Sequence, residues 1–174
     1  FYKGIGGISD FGQALAWWKE AARGGKASAA RHLGITLLKD DEGAGLDWLE
    51  AAANAGDTDA MLILYKHCES ASWKPSLKTR LRWRNRAARN GNCEAQLLIA
   101  EEHWASWLSM ADSYYYGGTN TCLREWRKAT TWFRQAAANG NVEALLRLSG
   151  SCCHPHVPPD SGGAHESWLW FRRT

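Results

Sequence analysis

The sequence predicts an all-α protein built from repeated helix–turn–helix units, and three observations carry that prediction. The first is a spacing. Trp132, Ala136-Ala137, Gly140 and Ala144 recur as Trp17, Ala21-Ala22, Gly25 and Ala29, as Trp48, Ala52-Ala53, Gly56 and Ala60, and as Trp83, Ala87-Ala88, Gly91 and Ala95. Self-similarity of this kind marks a repeat architecture, whose units stack to bury one continuous core. The second is period: around each marker, apolar residues fall three to four apart, the helical spacing. The third is punctuation, because each marker Gly stands where the helical pattern stops.

The elements follow in order. Residues 1–10 read as a Gly-rich loop that ends on Asp10 as a helix cap. Phe11–Arg23 is the first helix, closed by Gly24-Gly25, and Lys26–Leu38 is the second, with Ala29, Leu33 and Leu37 on one stripe. Gly43–Asn54 and Thr58–Cys68 form the next pair. Lys78–Arg89 and the helix from Cys93 form the third, with Pro75 in the loop ahead of them, where its missing N–H does least harm. The marker Trp residues are 31, 35 and 49 apart, so the last interval needs an explanation. Ile99, Ala100 and His103 take the packing positions once, and Met110, Ala111 and Tyr114 take them again eleven residues later, close to three full turns. That spacing predicts one helix over 94–116, roughly 22 residues, ending at Gly117-Gly118. Two helices broken near Ser106 are the alternative. A loop over Thr119–Leu123 completes the interval, and Thr130–Asn139 with Val142–Ser149 makes the fourth junction.

The array of about four helix pairs thus covers 1–150. Residues 151–174 hold three of the four Pro and read as an irregular loop. Trp168 stands sixteen residues after Cys152, as Trp17 stands sixteen after Phe1, so this tail reads as the start of a further, truncated repeat. Both ends are expected to fall inside a repeat, of a longer array or of one with degenerate ends. The opening Phe1 reads as a mature or trimmed start.

Composition narrows the function classes. At 174 residues there is room for one or two domains, and 45% apolar with 22% charged residues is ordinary globular usage. Four of the eleven Trp are repeat markers, so periodicity accounts for much of that excess. The net charge of +3 is too small to argue for nucleic acid as a partner. No apolar run approaches the ~18 residues of a membrane helix. The five Cys, at 68, 93, 122, 152 and 153, lack paired metal-ligand spacing. A reducing compartment accounts for them. An oxidising one allows a bridge from Cys122 to Cys152 or Cys153, which lie beyond the same ends of neighbouring helices.

These positions carry a resemblance. Phe1, Gly4, Gly6, Asp10, Ala14, Trp17, Ala21-Ala22, Gly25, Ala29 and Leu33-Gly34 stand in the order and spacing of the Sel-one-like repeat, a relative of the tetratricopeptide repeat. Tyr114, Gly117, Ala129, Trp132, Ala136-Ala137, Gly140 and Ala144 resemble it again, so the similarity covers about 1–150. There are departures. Leu37 to Trp48 is eleven residues rather than sixteen, Ser-Ala-Ser-Trp-Lys-Pro replaces the third Gly-rich loop, and Tyr65 and Ala100 stand where the first unit has Gly34. The resemblance implies a right-handed α/α superhelix, a solenoid, whose concave face binds another protein. It implies an adaptor without catalytic residues or cofactor. Bacterial members include secreted and periplasmic proteins, some of which neutralise toxins. The expected partner is therefore a protein such as a secreted enzyme or toxin, and the expected compartment is bacterial periplasm or cytoplasm.

Four groups of residues are candidates for function. With the marker Ala as zero, the packing stripe of each second helix is 0, +4, +5 and +8, so +2, +3 and +6 point away from it. Those positions hold Arg31, His32 and Ile35; Leu62, Ile63 and Lys66; Leu97, Leu98 and Glu101; Leu108, Ser109 and Asp112; and Leu146 and Arg147. Seven of the fourteen are aliphatic, where a solvated face would carry charge. Either the face packs on the next second helix, or it is an apolar floor with charged flanks that suits a protein ligand. The second group is Lys78, Arg80, Arg82, Arg84, Arg86 and Arg89, a contact for anionic lipid or nucleic acid, or else a solvated outer face whose arginine stems cover Trp. The third, Cys152-Cys153-His154-Pro155-His156, has zinc-ligand chemistry but no second half with matched spacing, so no metal site is assigned. The fourth is catalysis. No Gly-x-Ser-x-Gly, His-Glu-x-x-His or phosphate-cradling loop is present. His103 beside Glu101 and Glu102 is a helical neighbourhood rather than a triad, and Asp112 with Tyr114–Tyr116 reads as helix packing.

Overall fold

A computed structural model describes residues 11–70, 76–111 and 120–151. Among these residues there are eight α-helices and no strand: α1 (Phe11–Arg23), α2 (Ala27–Leu37), α3 (Glu42–Asn54), α4 (Thr58–Ser70), α5 (Leu77–Arg89), α6 (Cys93–Ala111), α7 (Asn120–Ala138) and α8 (Val142–Ser151). Asp10, Pro75, Asp112, Tyr114–Tyr116, Gly117-Gly118 and the tail from 152, with its Cys and His residues, lie outside them. The chain divides into two compact units, Phe1–Ala87 and Ala88–Thr174. In the first, α1 packs on α2, α2 on α3 and α3 on α4. In the second, α6 packs on α7 and α7 on α8. Within each unit these helices meet their neighbours in sequence, as stacked repeats require.

The repeat spacing has a backbone cause. Gly25, Gly56, Gly91 and Gly140 have φ of 86°, 99°, 89° and 90°, a region that a Cβ makes costly. From that conformation Gly25 donates to the Ala22 carbonyl and Lys26 to the Ala21 carbonyl, both at 3.0 Å. Gly140 and Asn141 repeat the pair of bonds onto Ala137 and Ala136, and Gly56 and Asp57 onto Ala53 and Ala52. This is the Schellman closure, so the Ala-Ala pair supplies its acceptors as well as two small side chains. The residue after each Gly then caps the next helix. Asp57, Asn92 and Asn141 accept through Oδ1 from the N–H of the marker alanines Ala60, Ala95 and Ala144, each at 2.9 Å. The first unit has Lys26 at that place, with no side-chain cap bond.

Packing follows the predicted stripe. Ala29, Leu33 and Gly34 on α2, Ala60, Leu64, Tyr65 and Cys68 on α4, Ala95, Ile99 and Ala100 on α6, and Ala144 and Leu148 on α8 are all buried. At α2–α3 the approach is backbone to backbone. A Cβ on Gly34 would stand 2.9 Å from the Gly45 carbonyl oxygen, and one on Gly45 would stand 2.7 Å from the Leu38 nitrogen. The second unit centres on Phe133 and Trp107, both fully buried, with Ala100, Ala129 and Ala136 around the former and Cys122 and Trp126 around the latter.

One alternative closes and two expectations change. α6 runs unbroken through Ser106, which excludes two helices there; the Ser106 hydroxyl donates back to the Glu102 carbonyl at 3.0 Å without ending the helix. The Thr119–Leu123 loop is instead helical from Asn120, because Cys122, Trp126, Ala129 and Phe133 fall four, three and four apart and are all buried. The marker Trp residues are not equivalent: Trp83 is 7% exposed but Trp17 is 64% exposed. α1 packs chiefly on α2, and its Trp17 side is left to solvent.

Candidate partner-binding face

The second helix of each pair is held at its start by the Gly–Asx junction and along its length by the packing stripe. The +2, +3 and +6 positions take whatever that leaves. On α2, Arg31 is half-buried; its Nε donates to Asp57 Oδ2 at 3.0 Å and its Nη2 lies 3.8 Å from Asp59. The guanidinium thus braces the cap of α4. His32 is exposed and stacks on Trp18 with ring centroids 5.5 Å apart, and Ile35 is exposed. On α4, Lys66 is exposed and Ile63 half-buried, but Leu62 is only 5% exposed. Leu62 therefore belongs to the core of its own unit and not to an open floor.

In the second unit three of the aliphatic positions are half-buried and one is exposed. Leu97 and Leu98 on α6 are half-buried, Leu97 against the cluster that holds Phe133. Leu108 is half-buried against the Trp107 cluster, and Ser109 is exposed, its hydroxyl turned back to the Ser106 carbonyl at 2.9 Å. On α8, Leu146 is 61% exposed. Arg147 reaches Glu143 on its own helix at 3.1 Å and Glu101 on α6 at 3.5 Å. That last pair brings two predicted positions together on neighbouring second helices. Asp112 lies outside the described residues.

The basic helix resolves into two classes. Arg80 and Arg84 place their guanidinium carbons 5.2 and 5.7 Å from the Tyr65 ring centroid, and Arg84 is buried. Arg86 lies 5.7 Å from the Trp83 ring and donates to the Asn54 side-chain and main-chain oxygens, both at 3.3 Å. These three tie α5 to the first unit through cation–π and charged hydrogen bonds. Lys78, Arg82 and Arg89 are exposed. An open patch of five arginines is not what α5 presents.

Two further polar sites lie in the second unit. Gln96, buried, donates to the Ala88 carbonyl and accepts from Asn139, both at 2.9 Å, and so ties α6 to the start of the unit and to α7. Glu125, also buried, accepts from Lys128 Nζ at 2.9 Å and stands 2.7 Å from His103 Nδ1 and 3.5 Å from Arg124 Nε. The Lys128 bond, followed by the His103 contact, holds its carboxyl below the ordinary Glu range against the opposing effect of burial. Cys122 carries a buried thiol that burial pushes up in pKa, and the Trp107 indole hydrogen-bonds its sulfur. Its suggested bridge partners, Cys152 and Cys153, lie outside the described residues. Among the described residues no three His, Cys, Asp or Glu side chains converge as a metal set, and no helix is long and apolar enough to cross a membrane.

The sequence reading passed over one group. Arg124, Arg127, Lys128, Thr131, Trp132 and Gln135 line an open depression of about 370 Å³ on α7. Their spacing is plainly helical, and it becomes visible once the helix is extended back to Asn120.

No family model and no curated protein matches the chain by sequence. Among solved structures it is similar to the Sel1 repeat protein from Oxalobacter formigenes, at 19% sequence identity and a TM-score of 0.70, over 99% of this chain and 69% of that one. At that identity the likeness shows the fold, which is the α/α solenoid fold of Sel1 repeats.

Proposed function

We propose that the protein is a non-enzymatic scaffold that holds a partner protein on the faces of its second helices. The observation that carries this reading is the pair of exposed aliphatic side chains, Ile35 on α2 and Leu146 on α8. Both stand at positions turned away from the packing stripe, and each has a charged residue of the same set on its own helix, Arg31 on α2 and Arg147 on α8, the latter paired with Glu101. Apolar contacts rimmed by charge are the usual make-up of a protein contact. The fold supports the same reading, since stacked repeats present extended surfaces suited to partners. The close His–Glu pair, His103 and Glu125, is joined by Lys128, which makes it an ion-pair network and not a nucleophile with base and orienter. Within the scaffold class, the repeat resemblance favours a bacterial adaptor, or an inhibitor of a partner enzyme or toxin of the immunity type.

The test uses the immobilised full chain and a lysate of its source organism. The pair Ile35→Glu and Leu146→Glu is expected to lower retention of the captured protein about tenfold or more, with helical circular dichroism unchanged. Equal retention would remove this face from consideration. Leu62→Glu is not a suitable probe, because a charge in that buried position unfolds the unit. Binding of anionic lipid or nucleic acid through α5 is the less supported reading, since only Lys78, Arg82 and Arg89 remain open there. It predicts retention that falls steeply with salt and vanishes with Arg82→Glu and Arg89→Glu.

A further inference from the structure

The depression on α7 is separate from the second-helix faces and has chemistry of its own. Arg124, Arg127, Lys128, Thr131, Trp132 and Gln135 are spaced three, one, three, one and three residues apart, which places them on one stripe. The stripe is ~16 Å long at ~1.5 Å per residue. That matches about five residues of extended chain at ~3.3 Å each.

Its chemistry is graded along the helix. The first half is cationic. Behind it Glu125 offsets part of the charge, with its carboxylate 2.9 Å from Lys128 and 3.5 Å from Arg124. Arg127 is exposed and has no ion pair among the described residues. Three cations against one buried carboxylate leave this half positive. The second half is apolar and neutral. Trp132 is half-buried, its inner side on the cluster that holds Phe133; beside it Thr131 donates its hydroxyl to the Arg127 carbonyl at 2.7 Å and keeps only acceptor capacity, while the Gln135 amide can both donate and accept. Cations followed by an indole edge complement carboxylates followed by an apolar side chain. Thr131 and Gln135 suit the main chain of such a segment. Phosphates of a duplex would satisfy the cations alone and leave the indole half without a counterpart; a bilayer would take the indole as well but has no use for the amide of Gln135.

We propose that the α7 stripe docks an extended acidic segment of a partner protein. Its carboxylates lie against Arg124, Arg127 and Lys128, and an apolar side chain two to three residues further on lies against Trp132.

The test is fluorescence anisotropy with the full chain and a fluorescein-labelled peptide, Gly-Glu-Asp-Glu-Gly-Phe-Gly amide. Arg124→Glu with Arg127→Glu is expected to weaken binding about tenfold or more. Arg82→Glu with Arg89→Glu, the same charge change on α5, is expected to leave it unchanged, and Arg127→Lys to retain most of it. A peptide with Gly in place of Phe is expected to bind about threefold more weakly or worse. The proposal is overturned if the native chain fails to bind the peptide, if the α5 pair weakens binding equally, or if the Gly peptide binds as well. Equal or tighter capture by phosphatidylserine vesicles that depends on Arg124 and Arg127 would assign the stripe to a membrane instead. Ile35→Glu with Leu146→Glu leaves this peptide binding unaltered, so failure here is distinguishable from failure of the second-helix face.

Discussion

At the scale of single residues, the same sequence marker can do unequal work. Trp83 and Trp17 hold the same repeat position, yet one is 7% exposed and the other 64%. Trp83→Ala is expected to lower unfolding free energy by about 3–5 kcal/mol and Trp17→Ala by less than about 1, read by chemical denaturation. Gly34 shows the reverse case, a residue with no side chain that governs packing. Gly34→Ala would press a methyl on the Gly45 carbonyl oxygen at 2.9 Å and the Leu49 nitrogen at 3.0 Å, both backbone atoms. A loss of about 1–3 kcal/mol is expected in the same assay. Spacing could rank neither Trp, because it says which way a residue faces along its own helix and nothing of what stands opposite. Leu62 was misplaced for that reason: its angle on α4 points away from the stripe, and the surroundings bury it all the same.

At the scale of elements, the junctions were legible and the long interval was only partly so. The Gly–Asx turn is written in adjacent residues, so terminator and cap can be read together. Lys26 breaks that rule, with extended backbone (φ −76°, ψ 100°) and no cap bond. Lys26→Asn is therefore expected to stabilise α2 by about 0.5–1 kcal/mol in thermal or denaturant unfolding. The start of α7 was missed because Asn120 and Thr121 read as loop residues, while the apolar period through Cys122 and Trp126 decides the structure. The α6–α7 pairing then creates the Glu125 network, which no local pattern announces, since His103 and Glu125 are 22 residues apart. The Glu125 pKa is lowered on folding. Its contribution is therefore complete above the ordinary Glu pKa and is lost as pH falls through the lower, folded value. Unfolding midpoints followed by Trp fluorescence are expected to drop in the native chain as pH falls from the ordinary Glu range downward. The drop should be shallower in Glu125→Gln.

At the scale of the molecule, the repeat marker alone led to the fold, because each unit needs its neighbours to cover an apolar stripe and must therefore stack. The proposed face was legible only as a set of angles. Of its positions, Ile35 and Leu146 are exposed, while Arg31 is paired with Asp57 and Arg147 with Glu101. Partner identity is written in none of them, since an exposed aliphatic among charges fits many proteins. The most direct measurement of the scaffold reading is site-specific photo-crosslinking. Benzoylphenylalanine is placed singly at Ile35, at Leu146 and, as a control on the basic helix, at Arg82. The account predicts a retained protein crosslinked from Ile35 or from Leu146 and absent from Arg82. Crosslinks from Arg82 alone, or none from Ile35 and Leu146 when a partner is retained, would contradict it.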